Sequence, residues 1–188
     1  MPWTRCTEDH PMSLTALILA GGQSRRMGED KAMMHGGVVR LQSLVKRVGI
    51  ERCIVMCGHA SRSDLFQGEV LQDPLDIGGL HRLLPWARQH VGGSILLLPC
   101  DAFLLHEDAL QAFLSRSKNG GVALDEQGRR QPLFARIPEH IELPEGPHSV
   151  QEWLLPLPSV EVSPYRRAFS NFNTPDDLQR LPPQPLDL

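Results

Sequence analysis

Leu17-Ile18-Leu19-Ala20-Gly21-Gly22-Gln23-Ser24-Arg25-Arg26-Met27-Gly28-Glu29-Asp30-Lys31 is the stretch around which the rest of this chain is organised. It begins inside a continuous apolar run over residues 15–20, the pattern of a strand buried on both faces of a parallel sheet. It then passes through paired glycines into a loop carrying arginines and a lysine. A parallel strand needs a crossover helix and a second strand beside it, and the following residues supply both. Residues 40–48 set Leu41, Leu44, Val45 and Val48 on one side, which predicts a helix. Residues 52–57 predict a second buried strand, and residues 69–71 a short third one ending at Gln72-Asp73-Pro74. A helix over residues 78–90 has to bend or break at Pro85. Ser94-Ile95-Leu96-Leu97-Leu98 is the most apolar strand and ends at Pro99-Cys100-Asp101, and residues 108–114 form another helix.

This alternation predicts an α/β fold: one doubly wound, Rossmann-like domain with helices on both sides of a mainly parallel sheet. In such sheets ligands bind outside the carboxyl ends of the strands. Three of those ends carry chemistry here: Gly21-Gly22, Asp73 and Asp101. The second half changes character, with 11 of the 16 prolines from Pro132 onward. Residues 121–124 and 133–136 read as strands on either side of a polar turn through Asp125. Residues 149–155 read as a short helix, capped by Ser149 with Glu152 reaching back. Residues 160–162 and 168–172 read as strands, and Thr174-Pro175-Asp176-Asp177 as a helix start. The domain is expected to span residues 14–181, between a loose leader over 1–13 and a frayed tail over 182–188.

Composition sets outer bounds. The 188 residues are 41% apolar and 22% charged, enough for a core, and the net charge of −3 argues against a bulk nucleic-acid binder. No apolar run approaches the roughly 20 residues that span a bilayer, and the first 13 residues lack an apolar signal core. The four cysteines, at 6, 53, 57 and 100, have no metal-knuckle spacing, and reduced thiols are expected.

The first loop is not a phosphate loop of the G-x-x-x-x-G-K-[ST] kind, because Glu29 follows Gly28. Gly21 and Gly22 nevertheless let backbone N–H groups approach an anion. Ser24 adds a hydroxyl, and Arg26 and Lys31 add charge suited to a triphosphate. Asp101, beyond a buried strand, is placed to hold Mg²⁺ against phosphate oxygens, or to cap the next segment. Asp73 can accept hydrogen bonds from a base or ribose, or simply make an Asp-Pro turn. Gly78 and Gly79 open a helix toward a ligand or form a flexible helix start. Asn171 and Asn173 share one face of an extended segment and can serve an acceptor or the metal's outer shell. Trp86 and Trp153 are expected to pack, and His59, His81 and His106 are given no role.

Residues 19–31, the Pro99-Cys100-Asp101 end, Gln131-Pro132-Leu133 and Asn171-Phe172-Asn173-Thr174-Pro175 together resemble the molybdenum cofactor guanylyltransferase family of the MobA type. The first motif is shared by cytidylyl- and sugar-nucleotidyltransferases, and the closing N-x-N-T-P narrows the likeness. The resemblance implies a three-layer fold of the nucleotide-diphospho-sugar transferase type and a Mg²⁺-dependent transfer of GMP from GTP to molybdopterin. It implies that Leu19, Ala20, Gly21 and Lys31 contact GTP, Asp73 the nucleoside, and Asp101 both Mg²⁺ and GTP. Cys57 stands where the family has a polar nucleotide contact. Gly79 stands in place of a proline, and Ala102-Phe103 follows Asp101 where a proline is usual. The implied setting is a cytoplasmic monomer that works with other cofactor-biosynthesis proteins or molybdoenzyme chaperones, with neither nucleic acid nor membrane as partner. Two alternatives stay open: a related transferase using CTP or a sugar phosphate, and a non-catalytic GTP-binding regulator.

Overall fold

The computed structural model describes residues 14–22, 30–172, 177, 179 and 181. The leader, Ser24, Arg26, Asn173, the helix start at Thr174 and the tail beyond 181 lie outside the described residues. Among the described residues, seven strands form one sheet in the order β3-β2-β1-β4-β6-β5-β7. These are β1 (Leu14–Leu19), β2 (Arg52–Gly58), β3 (Glu69–Gln72), β4 (Ser94–Pro99), β5 (Gly121–Leu124), β6 (Arg130–Ile137) and β7 (Ser159–Val160). β1 lies between β2 and β4, parallel to both, and β3 extends the parallel part. β6 runs antiparallel to β4 and β5, and β5 pairs parallel with β7.

Strand side chains alternate between faces, and the buried residues divide accordingly. Ala16, Ile18, Val55, Leu96 and Leu98 pack under α1 (Gly37–Arg47) and α3 (Glu107–Arg116) through Leu41, Leu44, Leu110 and Phe113. Leu17, Leu19, Met56, Ile95 and Leu97 pack on the other face under α2 (Leu80–Val91) and the single turn α4 (Val150–Trp153) through Leu83, Leu84, Ala87 and Trp153. Burying a large aliphatic side chain contributes about 1.5–3 kcal/mol, so two such layers dominate the stability. The three-layer α/β/α arrangement with a mainly parallel mixed sheet is the one the sequence predicts.

Several local readings change. α1 starts at Gly37, earlier than the apolar spacing indicates. Gly37 has φ 48°, and a Cβ there would lie 1.9 Å from the Ala32 carbonyl, so only glycine admits this entry. α2 runs unbroken through Pro85, which forfeits one ladder hydrogen bond instead of ending the helix. Residues 168–172 do not form a strand. Arg166–Phe169 is a 3₁₀ turn that drives Phe169 into the core against Phe113 and Phe134, with ring centroids 5.5 Å away in both cases. Period-two reading mistook this buried aromatic for strand alternation. β7 is Ser159–Val160, one residue earlier than read and shorter. No helix among the described residues is long and apolar enough to cross a membrane.

Candidate functional site

The carboxyl ends of β1, β2, β3 and β4 form one continuous rim. Ala20 donates its N–H to the Met56 carbonyl (2.8 Å), Asp73 to Gly58 (2.8 Å) and Cys100 to Leu19 (3.1 Å), so backbone bonding continues past the last strand residues. Gly21 and Gly58 meet across this rim. A Cβ on Gly21 would lie 3.1 Å from the Gly58 Cα, and one on Gly58, at φ 80°, would lie 3.0 Å from the Gly21 Cα. The two glycines keep the backbones close, and Gly21 and Gly22 stay exposed, with Arg62 donating to the Gly22 carbonyl (3.4 Å).

On the α2 side of the rim is a cavity of about 290 Å³ lined by Leu19, Gly21, Gly22, Met56, Asp73 and Leu80, among others. Its side chains are apolar apart from one carboxylate. Asp73 Oδ1 is buried and has no hydrogen-bond partner among the described residues. Burial pushes the Asp73 pKa above the usual carboxylate range, partly offset by the Gly58 backbone. An apolar slot with one unsatisfied acceptor suits a flat heterocycle that presents N–H donors. Gly79 lines the same cavity and caps α2 at φ 80°, whereas Gly78 beside it is not among the lining residues.

Cys57 belongs to the other face. Its side chain is fully buried in the α1/α3 core with Ala20, and its thiol reaches the Gly58 and His59 carbonyls. Strand alternation sends Met56 toward the cavity and Cys57 away from it. The sequence assignment of Cys57 to nucleotide contact is therefore corrected for its side chain.

At the adjoining strand end Lys31 Nζ lies 2.8 Å from Asp101 Oδ2 and also donates to the Phe172 carbonyl. Asp101 is 8% exposed. Arg40 fixes the turn behind it by donating to the carbonyls of Ala102 (2.5 Å) and Leu105 (2.7 Å), and burial lowers the Arg40 pKa. Phe103 packs edge-on against His35 (5.0 Å between centroids) and at a tilt against Phe172 (5.6 Å), bracing the segment whose carbonyl receives Lys31. Arg62 donates to the Ala20 carbonyl (2.9 Å) and pairs with Asp30 (2.9 Å). Neither Arg40 nor Arg62 has a sequence signature, because the backbone carbonyls they reach, and Asp30 for Arg62, are brought near only by the fold. Among the described residues no cluster of three or more His, Cys, Asp or Glu is arranged to hold a metal. A single hard carboxylate beside a phosphate site is nevertheless the donor set Mg²⁺ uses when substrate oxygens and water complete its shell.

Beyond Phe172 opens a cleft of about 1100 Å³ lined by Asp125, Arg129, Gln131, Gln151, Arg167 and Asn171, among others. Asp125, read from sequence as part of a polar turn, is 1% exposed. Its carboxylate accepts from the backbone N–H groups of Gln127 and Arg129 (both 2.9 Å), from Arg129 Nε (2.9 Å) and from Gln131 Nε2 (2.7 Å). Burial alone would raise its pKa, but the Arg129 and Gln131 hydrogen bonds outweigh it and leave the carboxyl below its ordinary value. The structure thus brings Leu19, Ala20, Gly21, Gly22, Lys31, Asp73, Gly79, Asp101 and Asn171 to one rim.

Known proteins resemble this chain in sequence and in fold. Residues 16–149 match the family model described as "MobA-like NTP transferase domain". A Synechococcus elongatus protein named "Probable molybdenum cofactor guanylyltransferase" is 31% identical, aligned over 90% of this chain and 98% of its own length. A Pseudomonas putida "Molybdenum cofactor guanylyltransferase" is 30% identical over 87% of this chain and 94% of its own. The crystal structure of "Molybdopterin-guanine dinucleotide biosynthesis protein A" from Archaeoglobus fulgidus superposes with a TM-score of 0.66 at 20% identity, covering 88% of this chain and 95% of the other, which establishes the shared fold.

Proposed function

Because this chain belongs to the MobA-like NTP transferase family, we propose that it transfers GMP from GTP to molybdopterin, releasing pyrophosphate and forming the guanine dinucleotide of the cofactor. It is a nucleotidyltransferase by family. The observation that carries the finer reading is the adjacency of an apolar cavity, holding the unsatisfied Asp73 carboxylate, to the Lys31–Asp101 pair at the next strand end. A carboxylate accepts only, so it favours a base edge with neighbouring donors. Guanine offers a ring N–H and an exocyclic amine side by side, whereas cytosine and uracil each offer a single donor next to acceptors.

The triphosphate then extends along Gly21 and Gly22, whose N–H groups donate to phosphate oxygens. Lys31 leaves Asp101 and the Phe172 carbonyl for the phosphates, and its charge offsets negative charge that builds on the departing pyrophosphate. Ser24 and Arg26, outside the described residues, are assigned to the same phosphates by the sequence motif. Asp101 would hold Mg²⁺ with the substrate oxygens, and the bound ion would polarise the α-phosphate and neutralise the leaving group. A phosphate oxygen of molybdopterin attacks the α-phosphorus in line, and the bond to the β-phosphate bridging oxygen breaks. The attacking oxygen is already ionised, so no protein nucleophile or base is required. The chain's contribution is positioning and fixed charge. The acceptor occupies the cleft beside Asn171, with Asn173 as a second contact. The same proposal takes the enzyme as a cytoplasmic monomer that hands its product to cofactor-biosynthesis proteins or molybdoenzyme chaperones.

The test is pyrophosphate release from GTP, CTP, ATP and UTP with Mg²⁺, with and without molybdopterin. Release from GTP only when molybdopterin is present is expected. Preferential release from another nucleotide would overturn the donor assignment, and release independent of molybdopterin would overturn the acceptor assignment.

A further inference from the structure

The cleft wall contains a run of side chains whose polarity is set from one end. Asp125 receives four hydrogen bonds at its carboxylate, two from backbone N–H groups, one from Arg129 Nε and one from Gln131 Nε2. An ionised carboxylate accepts and never donates, so Gln131 must turn its NH₂ toward Asp125. That orientation aims Gln131 Oε1 at Asn171, and since this oxygen also only accepts, Asn171 must present its own Nδ2 to it. The Asn171 carbonyl oxygen is what remains. It is buried, and it has no hydrogen-bond partner among the described residues. The orientation of both carboxamides thus follows from the charge on Asp125. Gln131 is itself buried, and Asn171 is joined directly to Phe172, whose carbonyl receives Lys31. The run therefore ends beside the phosphate-handling pair.

We propose that Asp125 and Gln131 are positioning residues that hold the Asn171 carboxamide with its oxygen as the free acceptor, so that this wall selects an acceptor substrate carrying a 2-amino-4-oxopyrimidine edge. This rests on the molybdopterin reading above and adds the residues that choose its pterin ring. A buried acceptor left unpaired is costly, and a ligand that supplies an N–H there recovers that cost, whereas a ligand with a carbonyl at the same place meets oxygen with oxygen. None of Asp125, Gln131 and Asn171 lines the Asp73 cavity, so nucleotide binding does not depend on the relay.

Pterin and lumazine separate these cases. Both are fluorescent, and lumazine carries a carbonyl where pterin carries the 2-amino group. Fluorescence titration of the full chain with GTP and Mg²⁺ present is expected to show pterin binding roughly tenfold more tightly than lumazine. In Gln131→Met the ratio falls toward one while GTP affinity by calorimetry is unchanged, which a collapsed fold would not allow. A second measurement needs no variant: the Asn171 side-chain NH₂ in the wild-type protein exchanges slowly with solvent by ¹⁵N NMR and shifts on pterin addition. Equal binding of pterin and lumazine to the wild type, an unchanged ratio in Gln131→Met, or a freely exchanging Asn171 NH₂ overturns the inference. Failure here is distinguishable from failure of the function. An enzyme that makes the dinucleotide without discriminating the two pteridines refutes the relay alone, and one that discriminates them without transferring GMP refutes the transfer alone.

Discussion

Replacing Asp73 with asparagine separates what this residue does for the fold from what it does for nucleotide. In the empty protein Oδ1 is buried without a partner, and burial raises the carboxyl pKa. Burying a group that carries an unpaired charge costs more than burying its neutral amide isostere, on the order of 1–3 kcal/mol. The residue is only half-buried, so solvent screening favours the lower end, about 1 kcal/mol. Asp73→Asn keeps the shape and a carbonyl acceptor but removes the charge, and should therefore raise the stability of the empty protein by about that much. In a chain of this size the midpoint of thermal unfolding should move up by about 2–4 °C. The pH dependence has a definite sign. A carboxyl with a raised native pKa binds more protons when folded than when unfolded, so wild-type stability falls as pH rises from the unfolded carboxylate range through the native pKa. The penalty is complete above that window and absent below it. The advantage of the variant is thus largest at neutral pH and closes on acidification. GTP affinity moves the other way, about tenfold or more weaker, because the paired donors of the base lose a carboxylate. Differential scanning fluorimetry across pH and calorimetry with GTP read both quantities. A variant that is less stable at neutral pH, or that binds GTP as tightly as wild type, would refute the assignment of Asp73 as an unsatisfied nucleoside acceptor.

Gly58→Ala places a Cβ 3.0 Å from the Gly21 Cα at φ 80°, and urea denaturation should show a loss of about 1–3 kcal/mol; an unshifted midpoint would show that the rim tolerates separation. Lys31→Met keeps the stem but removes the ammonium next to Asp101. Calorimetry should find GTP binding weakened by roughly 10–100-fold, and unchanged affinity would remove Lys31 from the phosphate site. Burial pushes the Cys100 thiol up to about 12 and Cys53 up to about 11, so iodoacetamide at pH 8 should leave both unmodified in the native protein by peptide mass spectrometry, and rapid labelling of Cys100 would contradict its packing behind Asp101.

What the sequence made legible follows from which interactions are local. The runs at β1 and β4 are apolar throughout because both faces are covered, and the strand ends Gly21, Asp73 and Asp101 stand next to them in the chain, so the rim could be read directly. The direction in which a strand-end side chain points was harder. Cys57 and Met56 are neighbours, and only the register of β2 against β1 shows that Met56 lines the cavity while Cys57 enters the opposite core. The helix over Gly37–Arg47 starts on a positive-φ glycine packed against the Ala32 carbonyl, which accepts from the Val38 N–H, a contact that no periodicity encodes. The acceptor side was least visible. Asn171 is far in sequence from Asp125 and Gln131, all three are ordinary in type, and their significance comes from antiparallel pairing of β5 with β6 and from the turn that returns residues 171–172 to Lys31.

The central claim, transfer of a nucleotidyl group from GTP to a pterin phosphate at this rim, is tested most directly by following the label from [α-³²P]GTP with Mg²⁺ and molybdopterin. The account predicts that the α-phosphorus appears in a molybdopterin–guanine dinucleotide and that the β- and γ-phosphates leave together as pyrophosphate. Label recovered in free GMP, or retained in GTP after prolonged incubation with molybdopterin, would contradict it.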